Sequence, residues 1–220
     1  MRNLLFYGLL FALILLSYLI SILIGYLLGK RKVLNIQQFT ERREYLIDPL
    51  TKRVKKWMDG HLMPGIVNGE WVKVFLLIFL NNLLLGAFVS RTLYGMIFIL
   101  PYLLAVWEGL GQGALFSNAY HKKSPLNPAI FFEFGGYLFA TLAGMNLGLS
   151  LLLPSRAGRT EAFMMAWKDV VYIYPIVVIF LVLGAISEAL LLKKLKLPKG
   201  VKFDADKAIK EGLEIFKGRK

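Results

Sequence analysis

The chain has 220 residues, 57% of them hydrophobic, with a mean hydropathy of +0.58 and a formal net charge of +13 from 27 Lys+Arg against 14 Asp+Glu. An ordinary soluble domain is roughly 45–50% apolar and breaks its apolar residues into short periods, so this composition excludes that class. Cysteine is absent, which excludes disulfides and thiolate chemistry, and the basic residues flank apolar runs, which assigns them to membrane topology and anionic lipid; no aromatic-interleaved basic surface points to nucleic acid.

The first run, Leu4 to Leu28, is uncharged. About 20 apolar residues span the ~30 Å of hydrocarbon, and within lipid a helix satisfies its own backbone groups. Lys30, Arg31 and Lys32 follow the run, a stop-transfer arrangement and not a cleavable signal, which predicts an N-terminus outside. Residues 33–73 read as two helices. Asn35 and Gln38 form a capping box for the first; Asp48 and Pro49 open the second, with Gly60 just past its end. On the second helix Leu50, Val54, Trp57 and Met58 make one stripe, and Lys52, Arg53, Lys55 and Lys56 lie off it. Such a helix rests on anionic headgroups, each basic residue contributing about 1 kcal/mol, or docks a protein partner.

Four more runs follow. Val74 to Val89 is short and ends at Ser90 and Arg91; Leu93 to about Gly113 carries Pro101, which predicts a kink, and the two form a tight hairpin. Gly109, Gly111 and Gly113 alternate where this third helix loosens or ends. Ala129 to Leu153 starts just after Pro128, and Val170 to Leu192 contains Pro175 and stops at Lys193 and Lys194. In the tail, Asp204 caps a helix with Ile209, Leu213 and Phe216 on one face. With the N-terminus outside, the inner segments 30–73, 118–128 and 193–220 hold 10, 2 and 10 Lys+Arg, and the outer segments 1–3, 90–92 and 154–169 hold 1, 1 and 3. The two heavily basic segments share a face only if an even number of spans separates them, and four do. The predicted fold is an all-α polytopic membrane protein with about five transmembrane helices plus amphipathic cytoplasmic helices. It divides into a first span (1–29), a basic segment (30–73), a four-span core (74–192) and a basic tail (193–220).

Gly136, Ala140, Gly144 and Gly148 recur every four residues, a spacing that lets two membrane helices approach closely; Gly25 with Gly29, and Asn82 with Gly86 and Ser90, repeat it. The facing surface is another helix of the same chain or a second copy, and a homodimer is expected. Glu108, Glu133 and Glu188 fall one each in the last three spans, no Lys or Arg lies inside any span, and depth brings Asn81 and Asn82 to a similar inner level. A carboxylate inside a span costs a few kcal/mol unless it faces a cavity, a partner or a proton. The layer is therefore interhelical glue, or a cation, proton or ligand site open to the cytoplasm. His61 and His121 lie in loops outside any HExxH pattern, no Gly-x-Ser-x-Gly elbow is present, and the spans lack Asp, so neither metal, cofactor nor catalytic residue is expected.

The stretches FLNNLLLGAF (Phe79 to Phe88), PAIFFEFGGYLFATLAGMNLG (Pro128 to Gly148) and AISEALL (Ala185 to Leu191), in that order, resemble the stage II sporulation protein M family over about 74–192. In that family a Pro-His-Gly-x-x-Glu stretch opens the fourth span; Pro128 and Glu133 match it, and Ala129 and Ile130 stand in place of the His and Gly, so a role needing that His does not carry over. The resemblance implies Asn81, Asn82, Glu133 and Glu188 as family-typical positions. It also implies a non-enzymatic membrane scaffold, as the sporulation members hold cell-wall-degrading partners at the membrane.

Overall fold

The computed structural model describes residues 4–31, 33, 60–117, 128–153 and 158–194. Among the described residues five long helices make the fold: α1 (Leu4–Lys30), α2 (Trp71–Ile97), α3 (Leu100–Ser117), α4 (Pro128–Leu152) and α5 (Arg159–Lys194). Among the described residues, α1, α2, α4 and α5 are long and apolar enough to cross a membrane. α3 has 18 residues, and Glu108, Gln112 and three glycines dilute its apolarity. The chain is an all-α polytopic membrane protein, and its five helices alternate in direction. α1 and α3 run parallel: Tyr102 donates to Ser17 at 2.8 Å near one end, and Gly29 lies against Ser117 at the other. α2 and α4 are parallel from Asn82–Glu133 to Gly95–Gly144. α5 runs against both, with Lys193 over Trp71 and Asp169 bonded to Asn146.

α4 is the central helix, its apolar window 67% buried against 28% for each of the other three candidate spans. Its small-residue stripe faces helices of the same chain. A Cβ on Gly136 would meet the Leu181 side chain at 2.8 Å, Ala140 is fully buried against Ala87, Val177 and Leu181, and Gly144 and Gly148 lie on the backbone of α2 and the turn after it. A second glycine seam joins α1 to α3: a Cβ on Gly25 would lie 2.1 Å from the Leu110 carbonyl oxygen, and one on Gly113 would lie 1.9 Å from that of Ile22. Gly109 and Gly113 thus seat α1 and do not end α3, correcting the sequence reading.

Other boundaries also differ from expectation. Pro101 is the second residue of α3, where its missing N–H costs no helical bond, so no kink arises there. Residues 60–68 are helical, Gly60 included, and the helix ends at Gly69, whose φ of +75° suits glycine. There the Glu70 N–H donates to Gly65 O at 2.8 Å and the Gly69 N–H to Ile66 O at 3.2 Å, the paired bonds of a Schellman stop. α5 begins at Arg159, eleven residues before Val170, and carries Pro175 inside it.

The largest departure is in α2. It is α-helical over Trp71–Leu80, a π-helix over Asn81–Leu93 and a 3₁₀ turn over Tyr94–Ile97, so the expected break at Ser90 and Arg91 is continuous helix. The Ser90 and Thr92 hydroxyls donate to Leu85 O and Ala87 O, each five residues back, in register with the i→i+5 winding. Asn82 and Arg91 are nine residues apart. At about 100° per residue an α-helix would point them to opposite sides; the wider winding turns both toward α4.

The two amphipathic helices expected within 33–59, with Lys52, Arg53, Lys55, Lys56 and Trp57, lie outside the described residues, as does the tail helix from Asp204.

Candidate functional site: a buried polar core

Polar side chains from all five helices meet inside the bundle in three tiers along α4. At the first, Asn82 Nδ2 donates to Glu133 Oε1 at 2.8 Å, and Asn81 Nδ2 donates to Asn82 Oδ1 at 3.2 Å. Glu188 of α5 stands beside Glu133 across the α4–α5 contact. Gly184, one turn before Glu188, gives Glu133 its room: a Cβ there would lie 2.9 Å from Glu133 Cγ.

The second tier is ionic. Arg91 Nη2 donates to Glu108 Oε2, and Nη1 donates to Thr141 Oγ1 at 3.2 Å. The guanidinium carbon sits 5.4 Å from the Tyr137 ring centroid, a cation–π contact. Side-chain exposure is 2% for Arg91 and 17% for Glu108, so each charge depends on the other for compensation. Gly86 leaves space for Tyr137, whose hydroxyl oxygen lies 2.5 Å from where a Cβ would stand. Beside this tier the Thr92 and Tyr174 hydroxyls are 2.8 Å apart, joining α2 to α5.

In the third tier Asp169 Oδ2 accepts from Asn146 Nδ2 at 3.3 Å and from the Tyr7 hydroxyl, tying α1, α4 and α5. From Glu133 to Asn146 the network extends about 20 Å at 1.5 Å per residue, two thirds of a hydrocarbon core.

Of the five polar residues singled out in the sequence, Asn81, Asn82, Glu133 and Glu188 come together. Glu108 does not join them. It pairs with Arg91 beside Thr141, eight residues or about 12 Å along α4 from Glu133. Two further expectations are corrected here. Arg91 is a buried cation inside a span and not an outer-loop charge, because Glu108 neutralises it. Asp169 lies within α5 and not in a loop before it. Tyr7, Tyr137, Thr141, Asn146 and Tyr174 were missed altogether. For Arg91 the sequence did carry a signal: Val74 to Val89 covers only about 24 Å as a helix, too short to span, so the helix had to continue through the arginine.

The first tier sets two carboxyls beside a pair of amides; the second and third are suited to locking helices. A family model described as stage II sporulation protein M matches residues 10–191. The match takes in α1 beyond the 74–192 legible in the sequence motifs, in keeping with the glycine seam that builds α1 into the bundle. No curated protein and no solved structure matches the chain. The chain belongs to the stage II sporulation protein M family.

Proposed function

We propose that, as a member of this family, the protein is a five-pass membrane scaffold or complex subunit that acts by assembly and without catalysis, with its N-terminus outside and its C-terminus in the cytoplasm. One observation carries the reading: buried polar groups of all five helices are bonded to one another across helix boundaries, which fixes the bundle as a rigid frame. A rigid frame is what a scaffold needs to present its surfaces in constant register. Anionic lipid is the proposed partner of the basic segments, with a protein partner and a homodimer as the modes of assembly. Because Gly136, Ala140, Gly144 and Gly148 already face helices of the same chain, a second copy would use another surface.

A second reading, a small proton or cation transporter, is favoured by the Glu133–Glu188 pair alone, since two neighbouring carboxyls beside Asn82 are a unit that transport could use. Proteoliposomes separate the two. Under the scaffold reading Glu133→Gln and Glu188→Gln leave pH- and ion-gradient decay unchanged and lower stability in detergent by about 1–3 kcal/mol, the cost of perturbing a buried hydrogen bond. A pH gradient that collapses through the wild type and persists with either variant would establish transport.

A further inference from the structure

The start of α2 meets the end of α5 on the bundle surface. A shallow groove of about 580 Å³ lies at the start of α2, lined by Gly69, Glu70, Trp71, Lys73, Leu76 and neighbouring residues of α2. Lys193 Nζ stands 6.0 Å from the Trp71 ring centroid, and Lys194 adjoins it, both exposed. Lys73 Nζ is 2.8 Å from Glu70 Oε2, and Asn68 Nδ2 donates to the same carboxylate at 3.3 Å. The hydrogen bond from Lys73, then that from Asn68, hold the Glu70 carboxyl below the usual carboxylate range, so it remains an anion at neutral pH. Among the described residues, three ammonium groups against one carboxylate leave these two helix ends positive. Below it Val72, Leu76, Leu80 and Leu84 form an exposed apolar file, 74%, 45%, 41% and 50% accessible. At 1.5 Å per residue the file is about 18 Å long, close to half of a ~30 Å hydrocarbon core.

A cationic corner with an indole at the interface, leading into an apolar track one leaflet deep, has the polarity of a phospholipid: anionic head above, acyl chain below. We propose that this groove binds one anionic phospholipid, with Lys73, Lys193 and Lys194 taking the headgroup, Trp71 packing at the glycerol level and an acyl chain lying along Val72, Leu76, Leu80 and Leu84. Free phosphate matches only the upper half of the site. The site requires that the chain sit in a membrane and does not depend on whether it is a scaffold or a transporter.

The test is native mass spectrometry of the full chain in detergent, titrated with phosphatidylglycerol, with phosphatidylcholine and with inorganic phosphate. Wild type should bind phosphatidylglycerol in preference to phosphatidylcholine and show no competition from millimolar phosphate. Lys73→Gln with Lys193→Gln should weaken phosphatidylglycerol roughly tenfold, two surface cations partly offset by Glu70. The charge-matched control Arg159→Gln with Lys168→Gln, exposed residues in the first ten of α5, should leave binding unchanged. Glu70→Gln should tighten it, an opposite sign that loss of folding cannot mimic. Equal binding of the two lipids, equal losses in test and control variants, or occupation of the groove by a second copy seen as a Lys73- and Lys193-dependent dimer would each overturn the proposal.

Discussion

Replacing Arg91 by methionine is expected to destabilise the bundle by about 3–5 kcal/mol, the cost of leaving one member of a buried ion pair uncompensated. The side chain is 2% exposed, bonded to Glu108 of α3 and Thr141 of α4, and stacked on Tyr137. Methionine fills the volume, so the loss measures charge and hydrogen bonds more than packing. Arg91→Met with Glu108→Gln should recover much of the stability, because a buried pair removed as a unit leaves no lone charge. Arg91→Lys should fall between, since a single ammonium lacks the planar fork that bonds two partners and stacks. Thermal unfolding in detergent, followed by tryptophan fluorescence, measures all three. An Arg91→Met variant that melts with the wild type would mean that Arg91 is not buried against Glu108.

Gly144→Val should be about as damaging, by a different mechanism. A Cβ at Gly144 would lie 2.0 Å from the Arg91 carbonyl oxygen and 3.2 Å from Thr92 Cα; reciprocally, one at Gly95 would lie 2.2 Å from the Gly144 carbonyl oxygen. Both neighbours are backbone, so no rotamer change relieves the clash and α2 must move away from α4. Overpacking a filled core costs about 1–3 kcal/mol and sometimes more. The high end is expected because the displaced atom belongs to Arg91, so the ionic tier shifts with it. Gly8→Val, with nothing within 4 Å of a Cβ, is the matched control and should melt as the wild type does. A Gly144→Val variant of wild-type stability would rule out the close α2–α4 approach.

Much of this architecture can be read from residue order. Long apolar runs bounded by basic clusters give the helices and their alternation. The four-residue spacing of Gly136, Ala140, Gly144 and Gly148 marks α4 as a close-packing helix, and intramembrane Glu133, Glu188 and Asn82 mark the first polar tier. What the sequence hides follows from one assumption, that every span winds at 3.6 residues per turn and breaks at a charge. The π-helical stretch of α2 violates the first half of it, and turns Arg91 to the side Asn82 faces. The Arg91–Glu108 pair violates the second, because a neutralised charge need not end a span. Ending α3 near Gly113 sets Glu108 level with Glu133; the helix runs on to Ser117, and Glu108 lies deeper, with Arg91 at the level of Thr141. Tyr137, Thr141 and Asn146 are ordinary residues in isolation; only the geometry shows that the first two meet Arg91 and that the third meets Asp169.

Five alternating passes require that α3 cross the membrane, although it is the one of these five helices not apolar enough to be a candidate span. The absence of cysteine makes single-cysteine labelling clean. Ile97→Cys, at an exposed position just before α3, and Lys122→Cys, beyond the end of α3, are reacted with a membrane-impermeant maleimide in intact and then permeabilised cells. The expected result is that Ile97→Cys labels from outside and Lys122→Cys labels only after permeabilisation. Both positions labelling from the same side would make α3 re-entrant and contradict the five-pass arrangement.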